Sequence, residues 1–256
     1  LLQSKGRGAT FLELSKAEVE RLQIPLPPLP EQRRIAAILD EADAVGKSVG
    51  RRIALFPALL ARAYDKLFGD PRSNPREWPI RQLGDIALKV SDGPFGSNLK
   101  SAHYTNSGVR VVRLHNIGVD EFLGAVAAYI SEDHFERLRR HELLEGDVVV
   151  GTLGDPILRA CVVPEGLGRA INKADCVQIR PDQSLAIGMY LSATLNHRSM
   201  VKSAQSLAHG QTRSRISMSQ VRALGVPVPP LGLQREFGEL RSRYSAELAA
   251  MYSARR

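Results

Sequence analysis

The strongest constraint on how this chain folds is a segment that occurs twice. LSKAEVERLQIPLPPLPEQRRIAAIL at 14–39 returns as ISMSQVRALGVPVPPLGLQREFGEL at 216–240, aligned without a gap at an offset of about 202 residues. The pairing begins upstream with Gly8/Gly210 and Thr10/Thr212. It runs through Val19/Val221, Leu22/Leu224, Pro25/Pro227, Pro27/Pro229, Pro28/Pro230, Leu29/Leu231, Gln32/Gln234 and Arg33/Arg235. Two copies that far apart are a frame around one domain, not a solenoid.

Each copy spells out its own local structure. Ser15-x-x-Glu18 and Ser217-x-x-Gln220 are capping boxes, and Leu14 with Val19, like Ile216 with Val221, supplies a hydrophobic staple at the same entry point. Both helices must be short, because Pro25 and Pro227 remove a donor and push the preceding residue out of the α region. The P-x-P-P-L strip that follows is stiff and extended, and it aims the next element. In the first copy that element is a long helix with a seam at Ile35, Ile38, Ala42, Val45, Val49, Ile53, Phe56, Leu60, Ala63 and Leu67, carrying one stutter near Val49. Gly46, Gly50 and Pro57 weaken it, so a kink or break is expected near Pro57. Phe237, Leu240, Tyr244, Leu248 and Met251 repeat the spacing in the second copy. One such stripe suits a local core; two that leave and re-enter one domain suit an antiparallel pair.

Composition narrows the function classes. In 256 residues, 43% of them hydrophobic, there is room for one sizeable domain and an extended helical part. No run is long enough to span a membrane and no signal-peptide pattern opens the sequence, so the expectation is a cytoplasmic protein. Cys161 and Cys176 sit in apolar stretches and read as buried thiols, and the six histidines, all between 103 and 209, form no ligand spacing. No metal and no cofactor are therefore expected. The net charge of +8 suggests a polyanionic partner, yet residues 71–210 hold 16 basic against 15 acidic side chains while 211–256 hold eight against three. A centre that reads nucleic acid must then use a local patch rather than bulk charge.

That centre opens after FGDPRSNPREWPIRQLG, a Pro, Gly and Asn-rich exit from the long helix. Strands are predicted at 109–115, 147–152, 158–163 and 174–180, and helices at 131–141 and 185–204. The result is an α+β domain with polar loops at 91–106 and 206–215.

The Gly-x-Thr element, the capped turn, PLPPLPEQRRI and the long helix together resemble the conserved region of specificity (S) subunits of type I restriction-modification enzymes. WPIRQLGDI at 78–86, DGPFGSNLKSAHY at 92–104, VRVVRLHNI at 109–117 and LLEGDVVV at 143–150 resemble a target recognition domain of that family. The resemblance implies a mixed-sheet recognition domain with short helices, and long helices paired as an antiparallel coiled-coil-like spacer. It implies double-stranded DNA as ligand, and modification (methyltransferase) subunits as partners that bring in the restriction subunit. Its division of the chain is the end of a preceding recognition unit with the first repeat at 1–30, a spacer helix at 31–69, the recognition domain at 70–210, the second repeat at 211–232 and a truncated helix at 233–256. With one complete recognition domain where the family carries two, the chain looks like a half subunit or fragment, and a homodimer or second half-subunit would restore the pair.

Catalysis finds little support in the residues. Asp92-Gly93-Pro94-Phe95 only superficially matches an amino-methyltransferase D-P-P-F motif, no E-x-K triplet suits a nuclease, and no Walker lysine is present. For DNA contact, Gly93, Gly96 and Ser97 can bring backbone N–H groups to phosphate with Lys100 supplying charge, or form a plain surface turn. Arg110, Arg113, His115 and Asn116 at a strand end can reach base edges, or merely be solvated there. His209, Gln211, Arg213 and Arg215 suit DNA contact or hydration of the domain junction. The reading is a non-catalytic, sequence-specific DNA-binding subunit. Its alternatives are a recognition fragment of a fused restriction enzyme and methyltransferase, or an assembly module without DNA readout.

Overall fold

A computed structural model describes residues 15–208 and 214–253, except the side chains of Glu18, Tyr252 and Ser253. The helices are α1 (Lys16–Glu20), α2 (Leu29–Phe68), α3 (Glu132–Leu138), α4 (Gly188–Asn196), α5 (Arg198–Leu207), α6 (Met218–Arg222) and α7 (Leu231–Ser253). The strands are β1 (Ile80–Gln82), β2 (Ala87–Ser91), β3 (Tyr104–Thr105), β4 (Val109–Val112), β5 (Tyr129–Ile130), β6 (Glu142–Leu143), β7 (Val148–Gly151), β8 (Ala160–Val162), β9 (Ala170–Asn172), β10 (Cys176–Pro181) and β11 (Gly225–Pro227). The chain separates into two compact units, one ending at Arg52 and one beginning at Ile53.

The first unit holds α1, the proline strip and the start of α2. Its Gln32 Nε2 donates to Pro27 O at 2.7 Å, closing the turn that starts the long helix. Helix α2 continues through Pro57, so no break occurs there. The capping box of the first copy rests on the Glu18 side chain, its staple on Leu14 and the upstream pairs on Gly8 and Thr10; these lie outside what the structure describes.

In the second unit the sheets explain the burial pattern. An antiparallel sheet runs β2-β10-β7-β8, a mixed sheet runs β3-β5-β4-β9-β6 with β4 and β9 parallel, and β1 pairs with β11. Strand β7 is buried on both faces, as its unbroken Val-Val-Val run requires. Val148 and Val150 face a core built with α4 to α7, while Val149 faces the layer between the sheets with Cys161 and Cys176. The same alternation resolves the consecutive valines of β4: Val109 and Val111 pack under α3 with Phe135, and Val112 turns into the inter-sheet layer.

Several sequence-based boundaries move, each for a local reason. The strand predicted at 109–115 ends at Val112 because Asn116 Oδ1 accepts from Arg113 N at 3.0 Å and closes a tight turn. The helix predicted at 185–204 divides at His197, whose extended backbone ends α4 and whose Nδ1 accepts from Ser199 N to open α5. The helix predicted at 131–141 stops at Leu138 and tightens into a 3-10 turn. The capping box of the second copy forms as expected, with Gln220 N donating to Ser217 Oγ at 3.2 Å and Ser217 N to Gln220 Oε1 at 2.9 Å.

Helices α2 and α7 run antiparallel where both meet the domain: Phe56 lies against Tyr244, and Tyr64 and Phe68 against Phe237. Gln234 ties the start of α7 to the domain. Its Nε2 donates to Pro229 O and Leu185 O, and its Oε1 accepts from Ile187 N. The bond to Pro229 repeats the Gln32–Pro27 bond of the first copy, but Gln234 is fully buried and Gln32 is not.

A buried histidine fixes the loop that leaves β2. His141 Nε2 accepts from Arg140 Nε at 3.0 Å, so the ring donates from Nδ1 to Asp92 O at 2.8 Å. Burial, with Arg140 and Lys89 nearby, lowers its pKa below the ordinary 6.5 despite that bond.

Two predictions follow from this packing. Gln234→Leu leaves buried backbone groups unpaired and should destabilise the fold by about 2–4 kcal/mol in urea unfolding, against under about 1 kcal/mol for Gln32→Leu. As pH falls below 6.5 the unfolded chain protonates before folded His141 does. Stability should therefore decline in that direction, by at most about 1.4 kcal/mol per pH unit, and His141→Gln should flatten the slope.

Candidate nucleic-acid interface

One end of both sheets gathers the polar side chains. The register Gln178↔Ser91 and Cys176↔Gly151 brings the end of β2, the end of β7 and the start of β10 together. Val112↔Asn172 likewise sets Arg113 beside Lys173 where β4 and β9 end in parallel. Asn172 Nδ2 donates to Cys176 O at 2.6 Å and to Ser91 O at 3.4 Å, joining the two sheet ends. Gly93 has no room for a side chain: a Cβ there would lie 2.2 Å from the Lys173 carbonyl carbon. Its role is to let two loops touch.

The cluster at this end is Tyr104, Arg113, Lys173, Arg159, Arg215, Asp92 and Asp175. Tyr104 carries the Arg113 guanidinium at 6.0 Å and the Lys173 ammonium at 5.7 Å from its ring centroid. Three buried donors here have no protein partner: Tyr104 Oη, Arg113 Nε and Arg159 Nε. Such groups cost free energy unless something accepts from them. Arg215 extends from a short bridge to Leu153, and its guanidinium lies against Asp175 Oδ1 as an ion pair without the geometry of a hydrogen bond. Burial raises the Asp92 pKa, Asp175 raises it further, and Arg215 opposes both.

The sequence-based candidates separate into four groups. Arg113 and Arg215 belong to the cluster, and His115 stands exposed next to it. Burial, then Arg113 and Arg110, lower the His115 pKa, so the neutral ring that can donate and accept is favoured. Gly96, Ser97 and Lys100 lie on the exposed stretch of the 92–104 loop, with Gly96 at φ 57. Arg110 and Asn116 require correction: both are buried and committed to the scaffold. Arg110 Nη2 donates to Gly124 O and Val126 O, and Asn116 Nδ2 donates to Leu123 O and Val126 O. Together they staple the 117–126 loop rather than present a free edge. Gly93 is likewise a packing glycine. His209, Gln211 and Arg213 lie outside the described residues.

Sequence reasoning missed Tyr104, Arg159, Lys173, Asp92 and Asp175 as members of this face. Lys173 follows β9, a three-residue strand without a signal strong enough to register, and the parallel pairing with β4 is what aligns it with Arg113. Among the described residues no group of three or more His, Cys, Asp or Glu side chains could hold a metal ion, and no helix is long and apolar enough to cross a membrane. Both cysteines are free and buried; burial pushes the Cys161 thiol up to about 12 and Cys176 higher still.

Comparison with known proteins bears on the whole chain. A family model described as the type I restriction modification DNA specificity domain matches residues 1–50. The type I restriction enzyme MjaVIII specificity subunit of Methanocaldococcus jannaschii is 25% identical over 165 residues, covering 61% of this chain and 39% of that protein. The putative MjaX specificity subunit of the same organism is 22% identical over 176 residues, covering 66% and 40%. The chain thus spans about two fifths of the length of these curated relatives. Among solved structures, a chain from work on assembly and conformational transition of the type I R-M system superposes with a TM-score of 0.65 at 20% identity, covering 98% of this chain and 62% of that one. The HsdS subunit of Thermoanaerobacter tengcongensis gives 0.54 at 20% identity, covering 98% and 60%. In sequence this chain is thus similar to type I restriction enzyme specificity subunits, and its fold is that of the solved type I R-M chains.

Proposed function

We propose that residues 70–210 read a half-site in double-stranded DNA, and that the helices at 31–69 and 233–256 set spacing and dock modification subunits, which bring in the restriction subunit. Methyl transfer and cleavage belong to those partners. The observation that carries the reading is the convergence of Arg113, Lys173, Arg159 and Arg215 at one end of two sheets, with buried donors left unpaired there. Arginine can pair with guanine through two parallel bonds, while lysine serves a phosphate.

A second recognition unit, from another copy of this chain or a half-subunit like it, is the partner that the repeat favours. In the second copy Val221 and Val226 are fully buried and Phe237 is 2% exposed. Their first-copy equivalents Val19, Ile24 and Ile35 are 51%, 75% and 42% exposed. In the second copy β11 pairs with β1 and Gln234 reaches Leu185 and Ile187. A like unit seated on the first copy would satisfy the same pattern.

In a complex with its modification subunit the protein should protect a defined sequence from nuclease. Arg113→Ala should weaken target binding by about 10-fold or more and relax one base position. Lys173→Gln should weaken all duplexes alike and reduce the salt slope by about one. Binding that ignores sequence at moderate salt would leave only an assembly role. For the partner surface, light scattering should give a mass above one chain that Ile24→Asp returns to the monomer value while the melting transition persists; a monomeric parent in the presence of a half-subunit would refute that surface.

A further inference from the structure

A DNA-reading face gains nothing obvious from acidic side chains, since they repel phosphate; yet Asp92 and Asp175 stand in this one. Asp175 is anchored without help from its carboxylate. Its backbone is left-handed at φ 67, and its carbonyl accepts from both Thr152 N at 2.9 Å and Thr152 Oγ at 3.1 Å. The backbone around Arg215 is anchored separately, with Ile216 N donating to Thr152 O at 3.0 Å and Gly154 N to Ser214 O at 3.3 Å. The Arg215–Asp175 pair is therefore not needed to hold either loop. Arg215 is the movable member: its side chain is 51% exposed against 22% for Asp175. A pair this open contributes little to folding.

We propose that Asp175 is a specificity-determining residue that restrains Arg215 until a matching base takes the guanidinium over. This rests on the DNA-reading function proposed above. When Arg215 leaves, Asp175 and the neighbouring Asp92 lose their shared counter-charge, and that loss must be offset. A screened contact to phosphate is a poor replacement. Two parallel hydrogen bonds to a guanine edge, made where water is excluded, are a good one. Asp92 supports the argument because its pKa, raised by burial and by Asp175, is held down by Arg215. Parting the pair costs every duplex alike, and only the target offsets it, because the amine of the cytosine opposite that guanine can donate to the released Asp175 carboxylate whereas a phosphate cannot.

The test measures binding of the complex with its modification subunit to target and unrelated duplexes over a range of salt. Asp175→Asn suits it, since asparagine tolerates the left-handed backbone and removes only the charge. Unrelated DNA should bind about 10-fold tighter with a salt slope steeper by about one, so that the ratio of target to unrelated affinity falls. Arg215→Lys keeps the charge but not the fork, and should lose target affinity while keeping non-specific affinity. In Arg215→Gln, Asp175→Asn should have no further effect. If Asp175→Asn weakens both duplexes equally or leaves their ratio unchanged, the pair is structural and the proposal fails. If the parent complex binds both duplexes alike, the DNA-reading function fails and this proposal with it. Should Asp175→Asn not fold, the Arg215→Lys split decides alone.

Discussion

Everything that this chain positions depends on a knot of aromatic rings where two helices meet one domain. Tyr64 and Phe68 of α2, Tyr190 of α4 and Phe237 of α7 lie with ring centroids 4.9–6.1 Å apart. Edge-to-face and tilted pairs of this kind add specific geometry to a large burial of apolar area. Their hydroxyls are fully used: Thr194 Oγ donates to Tyr190 O and accepts from Tyr64 Oη at 2.8 Å, and Tyr190 Oη donates to Pro227 O. Burial accordingly pushes the Tyr64 hydroxyl far above its ordinary pKa. Because a hydrogen-bonded ring cluster has few alternative packings, the end of α2 and the start of α7 have a fixed orientation in the second unit.

A second set of ties supports the same junction. Arg241 of α7 donates to Asp120 O and pairs with the Asp120 carboxylate at 3.1 Å, and Ser192 Oγ donates to that carboxylate at 2.5 Å. Burial raises the Asp120 pKa even though Arg241, Ser192 and Asn196 oppose the shift. A buried pair of this type stabilises little in net terms, but it leaves no doubt about register. Between these ties α2, α7 and the domain enclose a groove of about 770 Å³, lined by Leu60, Tyr64, Asp120, His197 and Leu248 among others. Nothing in the structure identifies an occupant for it.

The frame was far more legible in the sequence than the face. Proline spacing and capping boxes mark where α6 and α7 begin, because both act over a few neighbouring residues. The long seam likewise reveals α2, although Tyr64 and Phe68, its most buried aromatic side chains, fall beside the seam rather than on it. The face was only partly legible because long-range pairing makes it. Strands β3, β5, β6 and β9 have two or three residues each, too few for a period to emerge. Arg110 and Asn116 misled for a related reason: a sequence shows that a side chain can donate, but not that Gly124, Leu123 and Val126 will return to accept.

The parallel register of β4 and β9 has a consequence for how the protein comes into being. Val112 and Asn172 are 60 residues apart, and Ser91 and Gln178 are 87 apart. Contacts at such separations close large loops and form late in folding. The residues between them cannot gather into a face until β10 is available, and β11 must follow before β1 has its partner. During synthesis the first helices therefore emerge well before the face exists. The order of assembly is built into the chain: β10 completes the face, and α7, whose Phe237 the aromatic knot needs, comes last.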